Sequence, residues 1–153
     1  MSVTVWIDAD ACPRAVKEIL FRAASRRKVM TWLVANHSMR TPNSMYVQSV
    51  QVPMGFDVAD NHILQNAKSR DIVISADIPL AAELVNKGIV VINHRGQLYT
   101  EENIQERLSV RNFMQDLRDT GVQTGGPRSF SEVDKRNFAS TFDRELTRKL
   151  QGR

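Results

Sequence analysis

The chain has 153 residues, of which 42% are hydrophobic and 25% charged, the size and composition of one globular domain rather than a disordered tail. A balance of 21 Lys and Arg against 17 Asp and Glu gives a net charge of +4, which permits a nucleic-acid partner without demanding one. Cys12 is the single cysteine, so an internal disulfide is excluded. No signal peptide or membrane span of ~18 apolar residues is recognisable, and we expect a soluble, cytoplasmic protein without membrane association.

Short β-branched runs alternate with helical patterns, which is typical of an α/β fold with a mostly parallel sheet. The predicted strands, in chain order, cover residues 3–7, 29–35, 46–52, 72–75 and 89–92. The predicted helices between and after them cover residues 13–26, 57–69, 79–86 and 101–118. The link over residues 36–45 is short for a helical crossover, so the direction of the third strand stays open.

The composition changes after Asp119. Residues 120–126 are rich in glycine and threonine, and Gly125-Gly126-Pro127 predicts a chain break between elements. An amphipathic helix is predicted over Ser131–Leu150, with Val133, Phe138, Phe142, Leu146 and Leu150 on its apolar side. We expect residues 1–153 to form one domain with a C-terminal helical extension (about 127–150), and this helix packs either on that domain or on a second subunit in a homo-oligomer.

Polar side chains follow four of the predicted strands. Because ligands of parallel α/β sheets bind beyond the carboxyl ends of the strands, these residues are candidates for a site. Asp8 and Asp10 follow the first strand and Asp77 the fourth. The other polar candidates, which we expect to contact substrate, are Asn36, Ser75, Asn93 and Arg95, together with Arg128 after the glycine-rich segment.

The aspartates are the most informative of these residues. Asp60 shares a helical stripe with Leu64 and Ala67, which face the core, and a carboxylate there needs a partner. If Asp8, Asp10, Asp60 and Asp77 meet, their repulsion is relieved by protonation or by a cation. Hard oxygen ligands suit Mg²⁺ or Mn²⁺. We therefore predict a metal held by Asp8, Asp60 and Asp77, with all four aspartates catalytic.

Helix capping is the alternative explanation for these aspartates. If Pro13 and Pro79 occupy first helical positions, the caps are Cys12 and Ile78. Asp10 and Asp77 would then lie outside the cap positions, which favours a joint acidic site. Cys12 itself is expected to be a small apolar core residue rather than a nucleophile.

Four segments together resemble the bacterial YaiI/YqxD family over nearly the whole chain. They are Ile7-Asp-Ala-Asp-Ala-Cys-Pro13, Gly55-Phe-Asp-Val-Ala-Asp60, Asp71-Ile-Val-Ile-Ser-Ala-Asp-Ile-Pro-Leu80 and Gly125-Gly-Pro127. That resemblance implies no particular activity.

The chain also resembles PIN/NYN-like nucleases more distantly, through Asp8, Asp60 and Ser75-Ala76-Asp77. This resemblance implies a three-layer α/β/α sandwich with strand order 3-2-1-4-5, and Mg²⁺- or Mn²⁺-dependent cleavage of RNA. The sequence departs from that pattern in two places. Many such nucleases have another acid after the fourth strand, where this chain has Ile78-Pro79. The fifth strand ends in Asn93 rather than in a carboxylate.

Three functions follow from these observations. The first is a metal-dependent phosphodiesterase acting on RNA. The second is a phosphatase of the haloacid-dehalogenase type, which Asp8-Ala9-Asp10 fits but Cys12 fits poorly. The third is a non-catalytic module that binds RNA or a protein.

Overall fold

The computed structural model describes residues 2–55, 57–125 and 128–152. The strands are β1 (Thr4–Asp8), β2 (Met30–Ala35), β3 (Val47–Gln51), β4 (Ile72–Ile74), β5 (Val90–Ile92) and β6 (Leu98–Tyr99). The helices are α1 (Arg14–Arg27), α2 (Val58–Asn66), α3 (Ile78–Asn86), α4 (Glu101–Asp119) and α5 (Glu132–Leu150). Each strand and helix predicted from the sequence is present, with ends shifted by up to three residues.

One six-stranded sheet of order β3-β2-β1-β4-β5-β6 organises the chain. The predicted order 3-2-1-4-5 is confirmed, and β3 pairs in parallel with β2, which settles its direction. β6 runs antiparallel to β5, with Val91 opposite Tyr99. Its two residues are too few to show a periodic pattern in the sequence. The carboxyl ends of β1, β2, β4 and β5 therefore share one edge of the sheet, here called the carboxyl edge.

Helices cover both faces of the sheet, which makes a three-layer α/β/α sandwich. Ile7, Leu33 and Ile74 of the sheet pack in one core with α1 and α5. Trp6 and Val73 pack in the other core with α2, α3 and α4. Strands buried on both faces consist of continuous apolar runs, and each fully buried Ile or Leu contributes about 1.5–3 kcal/mol of hydrophobic free energy.

The starts of α1 and α3 differ from the sequence prediction. Pro13 is the N-cap of α1 rather than its first residue. Asp77 is the N-cap of α3 and accepts a hydrogen bond from the Leu80 amide at 3.0 Å, so the prediction that Ile78 caps this helix was wrong. Proline is tolerated anywhere in the first turn because the amides there have no intrahelical acceptor, and Pro79 takes the second position.

The C-terminal helix α5 packs on its own chain. Phe138, Phe142 and Leu146 are buried with α1 in one core, and the rings of Phe138 and Phe142 stack with centroids 5.8 Å apart. Val133 and Leu150, assigned to the same apolar side, are 52% and 43% exposed. Gly126 and Pro127 of the predicted break lie outside the described residues. Among the residues that are described, no helix combines the length and apolarity required to cross a membrane.

Candidate functional site

The carboxyl edge carries Asp8 at the last position of β1. Its Oδ2 accepts a hydrogen bond from the Ser75 hydroxyl at 2.9 Å, and the same hydroxyl oxygen accepts one from the Asp77 amide at 3.0 Å. Because β1 and β4 are paired neighbours, one buried serine connects both strand ends. Burial raises the pKa of Asp8, and the nearby Asp77 and Asp10 raise it further against the opposing effect of the Ser75 bond.

Asp60 reaches this edge from the first turn of α2. Burial raises its pKa to about 7, aided by the charges of Asp77 and Asp8, a hydrogen bond with the Asp77 carboxyl, and Asp57. A bond between two carboxyl groups requires that one of them hold a proton. Asp8, Asp60 and Asp77 therefore meet, as the sequence predicts, and are called the acidic cluster below.

The acidic cluster is not paired with basic side chains. Over residues 2–55, 57–125 and 128–152, none of its three carboxyl groups forms an ion pair with a lysine, arginine or histidine. Close carboxylates of this kind offer the hard oxygen ligands that Mg²⁺ and Mn²⁺ prefer, so the donor chemistry fits a cation. In the described parts of the chain, no group of three or more acidic, histidine or cysteine side chains is placed so that it could hold a metal ion. A cation at the acidic cluster would therefore require its carboxyl groups to change position.

Asp10 lies beside the acidic cluster but is bound elsewhere. Its two carboxylate oxygens accept the Asn36 amide at 3.2 and 3.0 Å, and its Oδ1 lies 2.9 Å from Nδ1 of His37. These contacts attach the loop after β2 to the end of β1. Asp10 therefore fixes the backbone at the rim of the site, where Asn36 and His37 follow β2.

Ser75 and Asn93 make structural contacts at the carboxyl edge, and their contact with substrate stays a prediction. Ser75 is fully buried, and its hydroxyl is used by Asp8 and Asp77. Asn93 is 7% exposed; its side-chain oxygen accepts the Arg95 and Gln97 amides at 3.0 and 2.9 Å, and its NH₂ group donates to Gln97 at 2.8 Å. Both residues therefore position the carboxyl edge rather than line its surface.

Arg95 and Arg128 converge on one buried carboxylate, Asp134. Arg95 Nη1 lies 2.6 Å from Asp134 Oδ2, and Arg128 makes two contacts of 2.7 Å with the Asp134 oxygens. The bond from Arg128 is the main reason that the pKa of Asp134 lies far below its usual range. Arg95 also donates to the Arg128 carbonyl. The two arginines thus hold the segment before α5 against the turn after β5.

Sequence reasoning missed Asp134 and Asp71. Asp134 stands three residues after Ser131, the spacing of a capping box, and the box is present at the start of α5. That spacing could have identified it. Asp71 is 2% exposed and accepts hydrogen bonds from the Thr4 amide, the Trp6 indole and the Lys68 amide. It lies before β4, opposite the acidic cluster, and joins β4 to β1.

Cys12 is buried in the core beneath α1. Burial raises the pKa of its thiol to about 12, so the thiolate needed for nucleophilic attack is absent at neutral pH. This confirms the interpretation of Cys12 as a small apolar core residue.

The fold and the carboxyl edge together define an α/β sandwich protein with a cluster of acidic groups at the ends of parallel strands. A sequence profile described as "Uncharacterized BCR, YaiI/YqxD family" matches residues 6–148. The chain belongs to the YaiI/YqxD family, as the four sequence segments predicted.

Curated bacterial relatives match over almost the full chain. A UPF0178 protein of Myxococcus xanthus is 57% identical over 144 residues, which cover 94% of each chain. UPF0178 proteins of Dechloromonas aromatica and Hydrogenovibrio crunogenus are 53% and 54% identical over 144 residues, which cover 94% of this chain and 96% and 95% of theirs. These names state a family and no activity.

Proposed function

We propose that this protein is a metal-dependent phosphodiesterase that cleaves RNA, with Asp8, Asp60 and Asp77 as ligands of Mg²⁺ or Mn²⁺. The observation that carries the proposal is the meeting of three carboxyl groups, from β1, α2 and the start of α3, which form no ion pair with a basic side chain among the described residues. The distant resemblance to PIN/NYN-like nucleases supports the same residues. A bound Mg²⁺ or Mn²⁺ would supply water of lowered pKa and would neutralise charge on the phosphate.

The chain's own residues prepare this site in four ways. Ser75 fixes one oxygen of Asp8 by donating to it. The Leu80 amide fixes one oxygen of Asp77. A cation held by the acidic cluster would favour the ionised form of Asp60, whose proton would pass to solvent. Asp10 assists from the rim by holding the loop that carries Asn36 and His37.

The experiment measures cleavage of a labelled RNA in the presence of Mn²⁺. We expect Asp8→Asn and Asp77→Asn each to lower the rate at least about 100-fold, equivalent to about 2.7 kcal/mol of transition-state stabilisation. Asp116→Asn, an exposed change on α4, is the matched control and should retain activity. Full activity in both cluster variants, with circular dichroism showing folded protein, would reject the assignment.

Two other functions are tested by the same preparation. A phosphatase of the haloacid-dehalogenase type requires Asp10 as a free acid, and the contacts of Asp10 with Asn36 and His37 make this the weaker proposal. Trapping of a phosphoaspartate on Asp8 would favour it. RNA binding that persists in chelator, without turnover in any divalent ion, would instead favour a non-catalytic module.

A further inference from the structure

Helix α4 extends beyond the rest of its layer. Its first turns face the C-terminal half of α3, where Glu101, Ile104 and Gln105 lie across from Ala82 and Val85, so the two helices run antiparallel. α4 has 19 residues and α3 has nine. At about 1.5 Å per residue, α4 is about 15 Å longer than α3. Its C-terminal half therefore continues past the first residue of α3, towards the carboxyl edge.

A groove lies between this part of α4 and the start of α3. It has a volume of about 740 Å³ and is called the α4 groove; its lining includes Ile78, Arg107, Val110, Arg111, Met114 and Arg118. Ile78 directly follows Asp77, the N-cap of α3. The groove thus begins beside the acidic cluster and leads away from it along α4.

The three arginines of the α4 groove are held by neutral groups. Arg107 Nη1 donates to Gln97 at 2.9 Å, and its guanidinium lies 5.5 Å from the Tyr99 ring centroid. Arg111 donates to Asn112, and Arg118 to Gln115 and Thr124. Across the described ranges, none of the three forms an ion pair. Their charges remain available to an anion, and Glu106 is the acidic residue of the lining.

Apolar side chains alternate with these arginines. Residues 107, 110, 111, 114 and 118 fall on one helical stripe, and Val110 is 56% exposed. Proteins that bind single-stranded nucleic acid combine cations for the phosphates with apolar or aromatic surfaces for the bases. The stripe combines three arginines with the apolar side chains of Val110 and Met114, which is the combination that such a ligand requires.

We propose that the α4 groove binds the phosphodiester backbone of single-stranded RNA through Arg107, Arg111 and Arg118, and guides the strand to the acidic cluster beside Asp77. This inference rests on the proposed function for its substrate class. The acidic cluster alone repels a phosphate chain, so separate cationic residues must provide the affinity. The three arginines are binding residues and take no part in the chemical step.

The experiment uses fluorescence anisotropy of a labelled oligouridine of about 12 nucleotides, in chelator so that no cleavage occurs. The test variant is Arg107→Gln/Arg111→Gln/Arg118→Gln. The matched control is Arg22→Gln/Arg26→Gln/Arg136→Gln, which removes the same charge from exposed positions of α1 and α5 on the other face of the sheet. Glutamine keeps a high helix propensity, and melting temperatures check that both variants fold.

We expect the test variant to bind RNA at least about tenfold more weakly and to lower the slope of log affinity against log salt by about 2. The control variant should bind like the wild type. In a cleavage assay with Mn²⁺, the test variant should raise KM and leave kcat nearly unchanged. Asp77→Asn should instead lower kcat.

Failure of this inference is distinguishable from failure of the proposed function. If the wild type binds RNA through the three arginines but never cleaves it, the proposed nuclease function is rejected and the proposed role of the α4 groove is supported. Wild-type protein that cleaves RNA while the test variant binds and cleaves equally well rejects the groove alone. Absence of RNA binding by the wild type overturns the groove. A wild-type dimer that Val110→Ser/Met114→Ser converts to monomer also overturns it, because the groove would then be an interface between copies.

Discussion

Asp134 and the acidic cluster are two sites of carboxyl groups removed from water, and they differ in whether basic side chains contact them. Asp134 is 1% exposed and contacts two guanidinium groups, and the hydrogen bond from Arg128 is the main reason that its pKa is lowered. The acidic cluster brings three carboxyl groups together with no guanidinium partner in the part of the chain that the structure describes, and burial raises the pKa of Asp60 to about 7. Arg95 follows β5, so this fold supplies an arginine to a buried carboxylate at the carboxyl edge, whereas among the described residues the acidic cluster at the same edge receives none. The acidic cluster can therefore accept a cation from solution.

The largest effect is expected from Gly96→Ala, which breaks the packing behind Asp134. Gly96 has φ of +83° and a Cβ there would lie 2.5 Å from the Asn137 carbonyl of α5. We expect a loss of about 3 kcal/mol in the free energy of unfolding, measured with urea. Gly88→Ala is the control, because φ is +78° there but the space is open, and it should lose about 1 kcal/mol. Equal losses in the two variants would show that α5 is not packed closely against this turn.

Addition of Mn²⁺ tests whether the acidic cluster binds a cation. At 100 times the dissociation constant, a bound ion raises the free energy of unfolding by about 2.7 kcal/mol, and the melting temperature should rise accordingly. Asp8→Asn should lose most of this gain, whereas Asp134→Asn should keep it. An equal Mn²⁺ effect in wild type and Asp8→Asn would place the ion elsewhere.

Asp134→Asn should have a smaller effect, with a distinctive dependence on pH. Bonds from Arg128 and Ser131 hold the pKa of Asp134 below its value of 3.8 in an unfolded chain. Its stabilising contribution is therefore present above about pH 4 and is lost as the pH falls further. The variant should melt below the wild type at pH 7, and the difference should shrink on acidification. Asp143→Asn, whose pair with Arg27 is 66% exposed on the aspartate side, should change little at either pH.

Asp60→Asn should produce the smallest effect, in the opposite direction. A raised folded-state pKa favours the folded state at low pH, so that contribution is lost as the pH rises from about 4 to about 7. Without metal, the variant should be more stable than the wild type by about 1 kcal/mol at pH 8, a modest value because the carboxyl group stays partly solvated. At pH 4 the two should melt alike. A gain that is the same at both pH values would contradict the raised pKa.

The meeting of Asp8 and Asp77 was predictable because strand ends of a parallel sheet share an edge. Asp60 lies in α2, and its place beside them was expected from its core-facing helical stripe and from the resemblance to PIN/NYN-like nucleases. The hydrogen-bond partners of the individual side chains at this edge were not predictable. Ser75 and Asn93 were expected to contact substrate. In the structure their side chains form hydrogen bonds within the protein. The partners in these bonds are positioned by the turns after the strands, which the sequence pattern does not specify. Arg95 and Arg128 stand 33 positions apart in the sequence, and no local pattern indicates that both reach Asp134.

The sequence by itself determined the α/β class and the location of the acidic residues after the strands, because hydrophobic periodicity and chain connectivity decide these features. The strand order was expected only from the resemblance to PIN/NYN-like nucleases, and the structure confirms it. The sequence also carried the capping box that places Asp134 at the start of α5. Only the tertiary structure decided which carboxylates receive arginines and which receive none, and that α4 extends past α3 beside Asp77. Those outcomes depend on distances between residues remote in sequence, which packing alone determines.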